Sequence, residues 1–224
     1  MSDYTRYAIY YLPPEGPLQR FGAEWLGWDV GRGEAVPQPD VEGIADVTAT
    51  PRKYGFHGTL KPPFRLADGC TPEGLHDAVT AMVADQTTVV LDALVPGALG
   101  HFLALKPAGD TAALATLAGR CVLELDGFRA PAPEAELERR RKAGLSARQE
   151  EMLLRWGYPY VFDEFRFHMT LSGRLPPDAL TPVLAEVEAR LPVLPKPYVI
   201  DQIALAGERP DGMFELIHRY TFTG

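Results

Sequence analysis

The chain has 224 residues and a formal net charge of −8, with 46% hydrophobic and 23% charged residues. That length accommodates one large domain or two small lobes on a shared core. The acidic balance argues against wholesale binding of nucleic acid, whose affinity comes mostly from neutralising phosphates, yet it leaves room for a small basic pocket. No apolar run reaches the roughly 18 residues of a spanning helix. The opening MSDYTRYAIYYLPPEG lacks the basic start and small-residue cleavage site of a signal peptide. Two cysteines, Cys70 and Cys121, have neither a disulfide framework's number nor metal-site spacing. Together these features lead us to expect a cytoplasmic protein with reduced thiols and no membrane contact.

In chain order, RYAIYYL (6–12) reads as a strand, aromatic and β-branched, ended by Pro13 and Pro14. Residues 13–50, rich in Gly, Pro and acids, predict an irregular connection with a short helix near Phe21 to Trp28. GFHGTL (55–60) is strand-like and should stop at Pro62 and Pro63. Thr71-Pro72-Glu73 has a capping hydroxyl, a proline at the first helical position and a first-turn acid, which predicts a helix to about Asp85. TTVVLDALV (87–95) and HFLALKP (101–107) are strands, and Pro96-Gly97 predicts the hairpin turn between them. A helix follows from Thr111 to about Leu123. PEAELERRRKAG (133–144) is charged and helical. Ser146 and Gln149 have capping-box spacing, and Gly157 suits the left-handed end of that helix. Pro176-Pro177-Asp178 opens a helix to about Leu191. PYVIDQIALAG (197–207) and MFELIHRYTF (213–222) close the chain as a hairpin.

One pattern occurs twice. YGFHGTLKPPF (54–64) and FRFHMTLSGRL (165–175) each hold His-x-Thr-Leu after an aromatic residue: His57, Thr59 and Leu60, then His168, Thr170 and Leu171. After each copy come a helix and a hairpin. This order predicts an α+β chain of two similar lobes, each an antiparallel sheet with helices on one face. Side chains alternate faces along a strand. Phe56, Gly58, Leu60, Phe167, Met169 and Leu171 should therefore face a core. His57, Thr59 and Lys61, and likewise Arg166, His168 and Thr170, should share a polar face.

Opposed lobes would bring two imidazoles and two hydroxyls to one small space. One neutral imidazole can take a proton from an attacking hydroxyl or water while a protonated one gives a proton to the leaving oxygen. Threonine hydroxyls can hydrogen-bond non-bridging phosphate oxygens, and Lys or Arg can hold the anion. Displacement at phosphorus needs little beyond such positioning and charge stabilisation, so neither metal nor other cofactor is required.

These motifs resemble the 2H phosphoesterase superfamily, whose members carry paired His-x-Thr-hydrophobic motifs. RYAIYYLPP, WLGWD, PRKYGFHGTLKPPF, HFLAL, FRAP, ERRR and WGYPYVFDEFRFHMTL further resemble the branch encoded beside carbon–phosphorus lyase genes for phosphonate breakdown. The likeness runs from about residue 6 to 172. It implies a single two-lobed α+β domain over residues 1–224, pseudo-symmetric, with helices on the outer faces and an active-site cleft between the lobes, with His57 and His168 as the acid/base pair and Thr59 and Thr170 as phosphate binders. It also implies a cytoplasmic, metal-independent hydrolase that opens a cyclic phosphodiester of a small phosphorylated sugar. Lys61, Arg166, Arg129, Tyr54, Tyr158, Tyr160 and Arg140 are candidates to hold that ligand. His76, His101 and His218 lack a matching threonine and read as structural, and Trp25, Trp28 and Trp156 as packing residues. Two rival readings stand beside this one: a 2′,3′-cyclic phosphodiesterase of RNA ends, and a non-catalytic binder of phosphorylated metabolites. A metal-dependent phosphohydrolase is a weaker third, because no Asp/His cluster has ligand spacing.

Overall fold

The computed structural model describes residues 4–224. The first half holds β1 (Arg6–Tyr11), α1 (Pro17–Leu26), β2 (Trp28–Asp29), β3 (Glu34–Ala35), α2 (Ile44–Val47) and α3 (Ala49–Arg52). It continues with β4 (Gly58–Phe64), α4 (Pro72–Val83), β5 (Val89–Leu91), β6 (Ala93–Leu99), β7 (Phe102–Ala108) and α5 (Ala112–Glu124). The second half holds α6 (Glu134–Arg141), α7 (Ala147–Trp156), β8 (Met169–Thr170), α8 (Pro177–Arg190), β9 (Tyr198–Ile200), β10 (Gln202–Glu208) and β11 (Phe214–Thr221). This is the expected mixture of antiparallel sheet and helices. The helix ends follow their sequence signals. The Thr71 hydroxyl accepts from the Gly74 N–H, the Ser146–Gln149 capping box makes both of its bonds, and Gly157 closes α7 at φ 73°.

Seven strands form one antiparallel sheet in the order β11-β10-β1-β4-β8-β7-β6. The lobes meet where β4 pairs with β8, at Gly58 opposite Met169. These two residues hold equivalent places in the two motifs. Away from the sheet, β5 pairs with β9, Val90 opposite Val199, again between equivalent elements. A local two-fold axis therefore runs between the halves, through both pairings. Each motif strand lies beside the hairpin of the other half: β4 joins β1 and the C-terminal hairpin, whereas β8 joins β6–β7. The hairpins are exchanged across the axis, so neither half in chain order is a lobe by itself.

Strand β1 is buried on both faces. Tyr7, Ile9 and Tyr11 enter the main core with α1, α4, α5 and α8, while Ala8 and Tyr10 enter a second cluster with Trp28, Ala204 and Phe214. The main core also takes Phe56, Leu60, Phe167, Met169 and Leu171, the motif residues expected to face inward. Trp25 donates from Nε1 to the Leu171 carbonyl (2.7 Å) and Trp28 to the Phe214 carbonyl (2.7 Å), so these indoles pack, the first tying α1 to the residue after β8 and the second tying β2 to β11. Cys121 is fully buried, and burial pushes its thiol up to about 12.

Three details depart from the sequence reading. Strand β4 starts at Gly58 and runs through Pro62 and Pro63 to Phe64. Its pairing with β1 shifts register twice, and β8 touches it only at Gly58, so the prolines interrupt no ladder bond. The runs 87–95 and 197–207 each split, at Asp92 and Asp201, into a short strand for the axis pair and a long one for the main sheet. The β6–β7 turn is Gly100-His101, with Gly100 at φ 61°, and Pro96-Gly97 lies inside β6. No helix among the described residues is long and apolar enough to cross a membrane.

Candidate active site

Both motif histidines sit one residue before their strands, and both are oriented the same way. His57 Nδ1 donates to the Gly55 carbonyl (2.9 Å), and His168 Nδ1 donates to the Arg166 carbonyl (2.8 Å). A carbonyl only accepts, so the proton of each neutral ring lies on Nδ1 and Nε2 keeps its lone pair. His57 Nε2 then accepts from the Thr59 hydroxyl at 3.0 Å. Below it the Tyr10 ring stacks on the imidazole, with centroids 3.8 Å apart and planes 25° apart. Phe102 leans on His168 with ring centroids 5.4 Å apart.

The antiparallel pair at Gly58–Met169 brings each histidine across from the other motif's threonine: His57 faces Thr170, and His168 faces Thr59. Directly opposed residues in such a ladder have Cβ atoms about 5 Å apart. The cavities reflect this. One of about 440 Å³ is bordered by His168 and Thr59, and a neighbour of about 480 Å³ by His57 and Thr170. Leu99 and Phe102, flanking the β6–β7 turn, border both. Burial drives the His57 pKa down to about 4, the Gly55 hydrogen bond works against that, and a charge on His168 would lower it further. Burial also lowers the His168 pKa, opposed by the Arg166 carbonyl.

The remaining sequence candidates divide. Arg166, Tyr158 and Tyr160 border the His168 cavity, and Tyr54 borders the His57 cavity, its ring 6.2 Å from the imidazole. Arg166 turns its guanidinium onto the Asp163 and Phe165 carbonyls (3.0 and 2.7 Å). Arg140 borders neither cavity but lies over the Tyr158 ring at 4.7 Å.

Lys61 and Arg129 require correction. Thr59 lies opposite Tyr10 and Lys61 opposite Ile9, so the two partners are adjacent while one extra residue, Leu60, separates Thr59 from Lys61. This bulge breaks the alternation and turns Lys61 to the core face. There it is 2% exposed, with Nζ 3.2 Å from the Val122 carbonyl and 3.5 Å from Asp126 Oδ1. Burial lowers its pKa to about 8, Asp126 opposing and Arg129 assisting. Arg129 pairs with Asp126 (2.7 Å) and donates to the Arg155 carbonyl (3.0 Å), so it braces the end of α7, and it borders neither cavity. Lys61→Met should leave turnover within about two-fold and stability nearly unchanged, as for many buried ionic groups replaced by an apolar one of similar volume. Steady-state kinetics and a melting curve check this, and a large rise in KM would return Lys61 to the site.

The sequence reading passed over Tyr10 and Phe102 and took His101 as structural. Tyr10 lies opposite Thr59 on the neighbouring strand, a register no motif announces. Phe102 and His101, the latter bordering the His57 cavity, arrive with the exchanged hairpin.

The family model described as protein of unknown function DUF1045 matches residues 59–215. The chain belongs to that family. It is also 40% identical over 232 residues to a Janthinobacterium sp. (strain Marseille) protein named ribose 1,5-bisphosphate phosphokinase PhnN, covering 98% of this chain and 51% of that one. A Laribacter hongkongensis (strain HLHK9) protein of the same name is 39% identical over 175 residues, covering 76% of this chain and 40% of its own. The chain thus spans about half or less of the curated relatives it matches. Among solved structures, Escherichia coli LigT complexed with 3′-AMP aligns at 13% identity and TM-score 0.44 over 99% of this chain and 100% of that chain. A structure described as a phosphoesterase aligns at 14% identity and TM-score 0.44 over 98% of this chain and 99% of that chain.

Proposed function

We propose that the protein is a metal-independent phosphoesterase that opens a cyclic phosphodiester of a small phosphorylated sugar by acid/base catalysis between His57 and His168. The observation that carries this reading is the symmetry of the pair. Two histidines, each with Nδ1–H on the carbonyl two residues before it and Nε2 left with its lone pair, stand next to the one pairing, Gly58 with Met169, that joins the two motif strands. That arrangement fits a displacement in which one ring receives a proton and the other gives one. The relatives' name couples the family to a phosphorylated ribose. The kinase activity in that name is that of proteins about twice as long and is not carried over.

Burial pushes the His57 pKa down to about 4, which keeps that ring neutral over most of the pH range and suits it to the base, leaving His168 as the acid. Water attacks phosphorus as His57 Nε2 takes its proton. A phosphorus–oxygen bond forms to that water, the ring phosphorus–oxygen bond breaks, and His168 Nε2–H protonates the leaving sugar oxygen. Thr59 and Thr170 donate to the non-bridging oxygens, Thr59 giving up its bond to His57 as it does so.

A pH dependence follows. The base must be neutral, so kcat/KM should rise with pH through about 4. The acid must be charged, and its pKa lies below the usual 6.5, so kcat/KM should fall as pH climbs toward and past that value. The expected profile is a bell with its maximum on the acid side of neutrality. Initial rates on a cyclic ribosyl phosphate between about pH 3.5 and 9 test it, and a maximum above neutrality would contradict the assignment.

A further inference from the structure

The cavity on the His168 side holds a charge that the proposed reaction does not use. Glu164 borders it together with His168, Tyr158, Tyr160, Phe102 and Arg166. Gln149 Nε2 donates to Glu164 Oε2 at 2.9 Å, and that amide is the carboxylate's one partner among the described residues, so Oε1 has none. Arg166, the one Arg or Lys bordering this cavity, gives its guanidinium to the Asp163 and Phe165 carbonyls and leaves the carboxylate unpaired. The neighbouring acid, Asp163, is paired with Arg148 at 2.9 Å and does not border the cavity.

The backbone that brings Glu164 there is strained. Glu164 ends a single 3₁₀ turn, Phe162–Glu164, closed by its N–H on the Val161 carbonyl (3.1 Å). Phe162, at φ 53°, lies in the left-handed region that a bulky residue rarely enters. Its ring is kept in place by Trp156, with centroids 5.2 Å apart, and by the cluster of Val122, Met152 and Val161. Strained backbone held by its surroundings gathers at ligand sites. A carboxylate repels a phosphoryl anion, so Glu164 does not bind the reacting group itself.

We propose that Glu164 is a specificity-determining residue on the leaving-group side, where its free carboxylate oxygen accepts a hydrogen bond from a sugar hydroxyl. The inference rests on the phosphoesterase reading with His168 as the acid, which puts the departing sugar oxygen in this cavity. A carboxylate only accepts, and hydroxyls are the donors a sugar offers to it. Hydrogen bonds to an ionised acceptor are roughly twice as strong as neutral ones. The aromatic side chains of Tyr158, Tyr160 and Phe102 supply apolar wall for the carbon skeleton. The class of substrate that fits is a phosphodiester whose leaving group is an uncharged, hydroxylated ring.

The test is calorimetric titration of the full chain with three probes, in wild type, Glu164→Ala and Glu164→Gln. The probes are ribose 5-phosphate, tetrahydrofurfuryl phosphate (the same ring and phosphate without the hydroxyls) and inorganic phosphate. Wild type should prefer ribose 5-phosphate over its stripped analogue on the order of 10-fold. Glu164→Ala should bring those two ligands within about two-fold, and Glu164→Gln, which keeps an acceptor but not its charge, should fall between. Inorganic phosphate has no sugar to recognise, so both variants should bind it at least as well as wild type. A wild type that binds the two ring phosphates equally, or binds neither, overturns the assignment, as does a preference that survives in Glu164→Ala. Loss of inorganic phosphate binding in Glu164→Ala would mean that the residue shapes the cleft instead of reading hydroxyls, and overturns it too. A hydroxyl preference that needs Glu164, in a protein that opens no cyclic phosphate, upholds the contact and removes the reaction. Ring opening by a wild type without that preference does the reverse.

Discussion

Alanine at His57 or at His168 should lower kcat for ring opening by on the order of 10²–10⁴, the usual contribution of a positioned acid or base. Neither change should unfold the protein. Each imidazole sits outside the strand proper and is anchored to the backbone by one Nδ1 bond. The two losses should differ in their pH signature. His57→Ala removes the base and with it the rise through about pH 4, leaving the fall toward neutrality. His168→Ala removes the acid and flattens that fall. Groups that act together in one step give non-additive losses, so the double variant should be little slower than the slower single one. Losses that multiply would mean that the two motifs serve separate sites.

Gly58→Ala should damage both stability and turnover. A Cβ there would stand 2.3 Å from Cζ and 2.4 Å from Cε2 of Phe167. Phe167 is buried in the main core, 6% exposed, and its ring has no flexible end to swing aside. Overpacking of this kind costs about 1–3 kcal/mol, which in a chain of this size lowers Tm by roughly 3–10 °C. The position also matters for the reaction, because the Gly58–Met169 pairing alone joins β4 to β8 and sets His57 across from Thr170. Turnover should therefore fall on the order of tenfold along with Tm, since a displacement of about an ångström can cost that much or more. Gly127→Ala is the control, having nothing within 4 Å of its added Cβ. A melting curve and a rate for each variant decide the matter, and a Gly58→Ala protein as stable and active as Gly127→Ala would show that the lobes do not depend on this contact.

Much of this architecture is legible because local rules decide it. Thr71, Ser146 with Gln149, and Gly157 mark helix ends through hydrogen bonds that span only three or four residues. The inward set Phe56, Leu60, Phe167, Met169 and Leu171 follows from period-two alternation wherever the strand is regular. The doubled His-x-Thr-Leu is visible for the same reason. Where the sequence misled, partners distant in the chain decided. Lys61 has the right parity for the cleft, but the register of β1 against β4 places a bulge at Leu60 and sends it to the core. Pro62 and Pro63 look like a strand's end because nothing in the sequence says that β8 leaves that edge of β4 unpaired. Pro96-Gly97 has the chemistry of a turn, yet pairing Leu99 with Phe102 gives the turn to Gly100-His101. Arg129 was placed near the cleft by its loop and is held elsewhere by Asp126, three residues away. Tyr10 carries no motif, and only the β1–β4 register puts it under His57. The exchange of hairpins between halves brings Phe102 to His168, and it too belongs to topology rather than to pattern.

The central claim is most directly tested by phosphorus NMR of a cyclic ribosyl phosphate incubated with the wild-type chain and EDTA, beside the His57→Ala/His168→Ala double variant. The account predicts that the cyclic resonance gives way to a monoester with wild type and persists with the double variant. An intact ring with folded wild type, or equal opening by both proteins, would contradict it.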